Sequence, residues 1–441
     1  MYDKQRLDNQ SKLQIMKAIK LLAHKESFIG LYFLLFIMGV TVGSGYGIYN
    51  ESRIAEIALL LGLGAHACFN KYYIVTKVEY LFFVFIIIGS FFWSNSFFII
   101  IDLLLVYLLY KSFFFLEYRP LLTKIIVLAS FLIFLLLPVA IWDYITSGIY
   151  TSNWYLLRLN IRIYNSYFLI MSIFAVWLYL TEKNYKKLYL SFIFLAFLSI
   201  LMDGGRSATL AYTAFVIIIC IFRRPVSWQL GFAYSMSWLT YLTINHLASL
   251  NAVETLGLGI ARATTSQRYD IWMNAVQCWV QNPIWGCGFY QLDSTRNLAS
   301  HPHNLFLQVL SETGLIGFGF LLAIIFSILK NISWNLNKDY FVIAALLAVV
   351  IETLLSGIHI YPITQIALLW LFIFLLKNPI FPHTLYFNSL IASFASNSYL
   401  SITVYLILTI FFLYFFINTS ALIDPELLTR PRFLENGYNI F

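Results

Sequence analysis

The run His301-Pro302-His303-Asn304-Leu305-Phe306-Leu307-Gln308, continuing through Glu312-Thr313-Gly314-Leu315-Ile316-Gly317, stands where the longest polar segment of the chain gives way to a long apolar one. An imidazole is thereby placed where the backbone re-enters an apolar phase. Outward from this junction the same alternation fills the chain. Apolar stretches of about 20 residues follow one another, the length a helix needs to cross a bilayer. The composition agrees: 61% hydrophobic, 19% aromatic and 11% charged, against about half apolar and a quarter charged in soluble domains. The pattern implies an all-α polytopic membrane protein. Lipid offers backbone groups no partner, so the spans must be helices. An outer-membrane barrel would alternate over about ten residues, whereas these runs are continuous.

The runs give about 13 spans, at 28–44, 54–70, 78–93, 97–116, 123–142, 164–181, 188–202, 207–222, 228–246, 303–329, 340–357, 364–377 and 397–417. Residues 1–27 are basic and polar, and the run after them lacks a small-residue cleavage site, so no cleaved signal is expected. With residues 1–27 in the cytoplasm and sides alternating, every lysine falls inside, from Lys4 to Lys377. This is the positive-inside bias. The expected organisation is a cytoplasmic segment 1–27, nine helices in 28–246, a large periplasmic loop 247–302, four helices in 303–417 and a periplasmic tail 418–441. The net charge of +8 is spread over cytoplasmic loops and forms no single face, which excludes a nucleic-acid partner.

The outer side carries only arginines as basic residues: Arg53, Arg158, Arg162, Arg206, Arg262, Arg268, Arg296, Arg430 and Arg432. A topology rule acting alone would remove arginine as readily as lysine. Its retention suggests work for a planar guanidinium, such as bidentate phosphate binding, with solvated surface or acid pairing as the plainer role. Arg206 lies in the short turn Asp203-Gly204-Gly205-Arg206-Ser207, held at the membrane surface, where it either meets a lipid-linked phosphate or pairs with Asp203. Arg268 opens a helix expected over Gln267–Gln281, with Trp272, Val276, Trp279 and Val280 on one face, lying at headgroup level. An arginine at a helix start opposes the helix dipole, so something besides helix stability favours it.

His303 heads the tenth span. The positive helix end disfavours imidazolium, leaving a neutral ring suited to act as general base, or simply to line a helix end. His301 precedes it across Pro302. Glu312 is an intramembrane carboxylate placed to orient a ring nitrogen or bind an external arginine, and Glu352 is similar. Gly314 and Gly317 suit close packing of helices. His359 reads as structural. No third ligand accompanies the histidines and HExxH spacing is absent, so no metal site is expected. Cys278 and Cys287 either pair or remain thiols.

His303-Asn304, nine residues, Gly314, two residues and Gly317 resemble the signature of the O-antigen ligase superfamily, which contains O-antigen ligases, O-antigen polymerases and bacterial protein O-oligosaccharyltransferases. Gly204-Gly205-Arg206-Ser207-Ala208 is similar to its Gly-x-Arg-Ser turn. Gln267 to Trp272 and Asn282-Pro283-Ile284-Trp285-Gly286-Cys287-Gly288 resemble its second arginine block. The resemblance covers about residues 200–320 and implies a glycosyltransferase working at the periplasmic face of the bacterial inner membrane. The implied donor is a glycan on undecaprenyl diphosphate, with transfer inverting and needing no cofactor. Arg206 and Arg268 would hold the diphosphate and His303 would activate the acceptor hydroxyl. Arg262, His301, Asn304 and Glu312 would join the substrate-binding set. The external tail favours a protein acceptor of the pilin kind, with lipid A-core ligation or O-antigen polymerisation as the alternative. A lipid-linked glycan transporter is the non-enzyme alternative.

Overall fold

The computed structural model describes residues 24–40, 48–69, 77–93, 96–157, 159–251, 268–288, 301–330, 332, 334–381, 398–418 and 433. Among these residues the fold is all-helical, with no strand. In order the helices are α1 (Ser27–Ile37), α2 (Ile48–Phe69), α3 (Lys77–Gly89), α4 (Ser96–Phe115), α5 (Pro120–Ala129), α6 (Leu137–Ser147), α7 (Ile161–Thr181), α8 (Lys186–Met202), α9 (Arg206–Phe222), α10 (Arg224–Asn251), α11 (Arg268–Gln281), α12 (Leu305–Leu329), α13 (Leu336–Leu355), α14 (Pro362–Lys377) and α15 (Ser398–Asn418). A 3₁₀ stretch, Ser130–Leu136, joins α5 to α6. Pro138 follows it, with no amide to donate and a ring that crowds the preceding turn.

Each of the 13 segments read as spans overlaps helix among the described residues, the fifth running across α5, the 3₁₀ stretch and α6. Among the described residues five stretches are long and apolar enough to cross a membrane: Ile48–Phe69, Phe97–Phe115, Pro120–Ser147, Ile161–Thr181 and Leu305–Leu329. The centre of the bundle is α7. It is apolar on all sides, and every residue from Ile163 to Tyr179 is buried, as expected of a helix surrounded by others. It packs against α8, α14, α5 and α9, while α9 packs in turn on α10 and α13. The N-terminal end of α7 thereby lies within a ring of helix ends.

Arg53 departs from the sequence expectation. It lies inside α2, 1% exposed, instead of in an external loop. Its guanidinium reaches Glu56, Gln365 and the Ile360 carbonyl, and its Nε donates to the Phe433 carbonyl at 2.9 Å. The Phe433 ring packs over the guanidinium, 5.1 Å from ring centre to Cζ. A buried arginine is tolerable when its donors are matched in this way. The rest of the tail segment expected over 418–441 lies outside the described residues, apart from the end of α15.

Candidate active site

Three of the arginines read as external occupy first turns of helices. Arg162 is the second residue of α7, where the Asn160 side chain caps the helix by accepting from the Arg162 amide at 3.0 Å. Arg206 is the first residue of α9, and Arg268 the first of α11. His303 directly precedes Asn304, whose Oδ1 caps α12 by accepting from the Leu307 amide at 3.0 Å. The expected span began at 303, but the helix starts two residues later. His303 sits outside it with φ of 52°, a left-handed backbone uncommon for residues other than glycine and a recurrent feature of functional sites. The indole of Trp272 holds this conformation by donating to the Pro302 carbonyl at 2.8 Å.

These four elements meet around a cavity of about 500 Å³, lined by Arg162, Arg206, Arg268, His303, Asn165 and Glu352 among others. The three residues read from sequence as catalytic (Arg206, Arg268 and His303) are thus brought together. Arg162, noted before only as one external arginine, joins them. Its Nη1 lies 2.8 Å from His303 Nε2. A guanidinium has donors only, so Nε2 accepts, and the ring proton of this neutral tautomer belongs on Nδ1.

The charge balance is strongly positive. Burial pushes the pKa of Arg268 down, and the Arg162 and Arg206 charges add to the effect, while Glu352 opposes it. Its Nε is buried without a hydrogen-bond partner among the described residues. Glu352, on the last turns of α13, is 1% exposed and accepts from Ser166 Oγ at 2.7 Å; Ser207 and Ser356 line the cavity with it. Asp203 also lines the cavity, but both its oxygens are engaged by tyrosines: Tyr150 donates to its Oδ1 at 2.6 Å and Tyr155 to its Oδ2 at 2.5 Å. Burial raises its pKa to about 7, although both hydroxyls pull the other way. Its partners are therefore two tyrosines, which fix the turn that presents Arg206.

Other expectations are redirected. Glu312 does not line this cavity. It faces a separate, mostly apolar cavity of about 400 Å³, together with Gln308, Arg53 and His359. The carboxylate at the arginines is Glu352, because α12 turns Glu312 to its opposite side. His359 bonds Gln308 Oε1 through Nε2 at 2.9 Å. His301 stacks edge-on against His303 with ring centres 4.2 Å apart, a contact that fixes the imidazole without lining the cavity. Arg262 lies outside the described residues, as do Arg158, Arg296, Arg430 and Arg432.

The second arginine block is an insertion into α12. Gly314 has φ of 65° and ψ of −163°, which breaks the helix. The loop 282–288 fills the break. Cys287 and Gly288 amides donate to the Ser311 and Glu312 carbonyls at 2.8 and 3.2 Å, and the Leu315 amide donates to the Pro283 carbonyl at 2.9 Å. A Cβ at 314 would stand 2.2 Å from the Ile284 carbonyl oxygen, and one at 286 would stand 2.5 Å from that of Glu312. The Gly314 spacing thus serves loop-to-helix pairing, in place of the helix-to-helix packing expected. Trp285 wedges the loop against Phe92, stacked at 4.9 Å, and Trp93 Nε1 donates to its carbonyl at 2.6 Å. Cys278 and Cys287 form a disulfide that ties the loop to α11, S–S 2.09 Å. The face of α11 buried in the protein is Ile271 and Ala275. Among the described residues no group of three His, Cys, Asp or Glu side chains is placed to hold a metal.

The segment from just ahead of α7 to the middle of α12 therefore contains all three arginines and the histidine. Residues 156–322 match the family model for O-antigen ligase. This segment is similar to O-antigen ligases. The match likens this segment to the O-antigen ligase superfamily, whose members are membrane glycan ligases and polymerases that take a lipid-linked glycan as donor. Comparison with curated proteins and with solved structures gives no match. The matched segment spans a little over a third of the chain. Glu352 and Ser356, which complete the cavity, come from α13 beyond it.

Proposed function

We propose that this protein transfers a glycan from undecaprenyl diphosphate to an acceptor hydroxyl at the periplasmic face of the bacterial inner membrane, as a protein O-oligosaccharyltransferase of the pilin-modifying kind. The observation that carries the reading is the convergence of Arg162, Arg206 and Arg268 on the cavity that holds His303. Helix N-termini carry partial positive charge, and three guanidiniums there repel one another until an anion arrives. A diphosphate supplies that anion. Arg206 and Arg268 grip its oxygens and stabilise the charge that develops as it leaves. His303 Nε2 takes the acceptor proton; the acceptor oxygen bonds to the anomeric carbon as the bond from that carbon to phosphate oxygen breaks, and the electron pair leaves with the lipid diphosphate.

The 13-helix reading supports the orientation, since it keeps every lysine inside and leaves the cavity and the 418–441 tail outside. The disulfide fits an oxidising compartment. The external tail favours a protein acceptor. A lipid-linked acceptor, lipid A-core or a growing O-antigen, is the second reading, favoured by the mostly apolar cavity beside α12.

Purified protein, a lipid-diphosphate glycan and candidate acceptors test the proposal. Transfer should fall at least about a hundredfold in His303→Ala at normal protein level and persist in chelator. Flipping of the donor without transfer would replace the enzyme reading with transport. Glycan appearing on lipid A-core in place of pilin would select the second reading.

A further inference from the structure

We propose that Arg162 is a latch on His303: its guanidinium occupies Nε2, and an entering diphosphate draws it away and uncovers the base. The inference rests on the transferase reading and adds an order of events to it.

The Arg162–His303 contact is 2.8 Å and runs from guanidinium N–H to the imidazole lone pair. That lone pair is the one the acceptor hydroxyl needs, so the pair as it stands is an inactive state. It is also a poor resting place for a cation. Arg162 stands in the first turn of α7, where the dipole is unfavourable, beside two further arginines. Among the described residues it has no carboxylate partner within ion-pair distance. A neutral ring nitrogen is a weaker acceptor than phosphate oxygen, whose charge-assisted bonds are roughly twice as strong and take the guanidinium fork two at a time. The donor therefore competes for Arg162 on favourable terms. Because α7 is buried along its length, the switch is a swing of one side chain, not of a helix.

The groups facing His303 decide its protonation. They are Arg162 from α7, Arg206 from α9, Arg268 from α11, Glu352 from α13, Asp203 at the end of α8, and His301 on its own segment. While Arg162 sits on Nε2, protonation of the ring is blocked. Once Arg162 moves to the diphosphate, the nitrogen is open, and the proton it takes from the acceptor is stabilised by the new anion. The acceptor hydroxyl can therefore be activated only after the donor has bound, which protects the lipid-linked glycan from idle chemistry.

Full-length protein assayed with donor and acceptor across pH decides the matter. The acid limb of kcat/KM for donor reports free enzyme, and that of kcat the loaded enzyme. In wild type the kcat/KM limb should lie about one pH unit below the kcat limb. In Arg162→Gln it should move up to join it, and Arg162→Lys, which keeps a cationic donor, should stay near wild type. Coincident limbs in wild type, or an unmoved limb in Arg162→Gln, overturn the latch. A second measurement needs no turnover and no variant: carbethoxylation of His303 by diethyl pyrocarbonate, mapped by mass spectrometry. Inorganic pyrophosphate added to wild type should speed it by roughly threefold or more; an unchanged or slower rate overturns the latch. Wild-type transfer that depends on His303 would leave the transferase reading standing if the latch fails. Absence of transfer would remove that reading while carbethoxylation still decided the latch.

Discussion

Arg53 and the trio Arg162, Arg206 and Arg268 all belong to segments read as external from charge, yet they meet opposite surroundings. Arg53 is enclosed by acceptors: Glu56, Gln365, the Ile360 and Phe433 carbonyls and an aromatic face. In the cavity, Arg162 rests on an imidazole and Arg268 keeps a buried nitrogen without a hydrogen-bond partner among the described residues. The difference teaches that an arginine retained on the outer side has two uses. Matched by acceptors it welds helices together; gathered with its own kind it waits for an anion. The first use should be read out in stability and the second in activity.

The largest expected effect tests the welded site. Arg53→Met leaves Glu56 buried without its counter-charge, a loss of about 3–5 kcal/mol. Detergent-solubilised protein should melt far earlier, and the fraction still folded should transfer glycan normally. Normal melting would show that the enclosing acceptors contribute little. Next come Arg206→Lys and Arg268→Lys. A point charge cannot replace a planar fork, so each should lower kcat/KM by about 10²–10³, or 2.7–4 kcal/mol, with the melting temperature unchanged or raised as like charges are rearranged. Activity within about threefold of wild type would remove the diphosphate role.

A smaller effect bears on how the cavity is framed. Gly314→Ala forces a side chain into a left-handed backbone and against the Ile284 carbonyl at 2.2 Å, costing on the order of 1–3 kcal/mol. Loop 282–288 should detach from α12, seen as faster amide exchange at Cys287 and Gly288. Unchanged exchange would mean that the loop is held by Trp285 and the disulfide alone.

Much of this was legible in the sequence, and the exceptions share a cause. Apolar periodicity placed the helices, because span length is set by the bilayer. Residue chemistry picked His303, Arg206 and Arg268 from separate helix ends, and the fold gathers them. What could not be read was the direction each side chain faces. Glu312 and Glu352 look alike as intramembrane carboxylates, but α12 carries the first to the apolar cavity and α13 the second to the arginines. Arg162 carried a usable signal, its place on the outer side two residues ahead of a span, yet its contact with His303 spans 141 positions and has no local signature. Gly314 has the same residue type for helix packing and for a helix break. Only the partner loop, 30 residues earlier at Ile284, distinguishes them.

The finest test concerns a second acceptor-matched group, set directly beside the arginine cluster. Asp203 ends α8 three residues before Arg206, with both oxygens held by Tyr150 and Tyr155. Burial raises its pKa from the ordinary carboxylate range to about 7. The folded chain therefore keeps a proton that the unfolded chain releases near pH 4. That stabilisation is complete below about pH 4 and is lost as pH rises through about 7. The loss proceeds at no more than about 1.4 kcal/mol per pH unit. The melting temperature of wild type relative to Asp203→Asn should accordingly fall between pH 5 and pH 7.5. A difference that stays flat, or one that rises with pH, would mean that Asp203 is ionised throughout. It would then add a negative charge at the arginine turn, and the contrast between Arg53 and the arginine cluster would narrow.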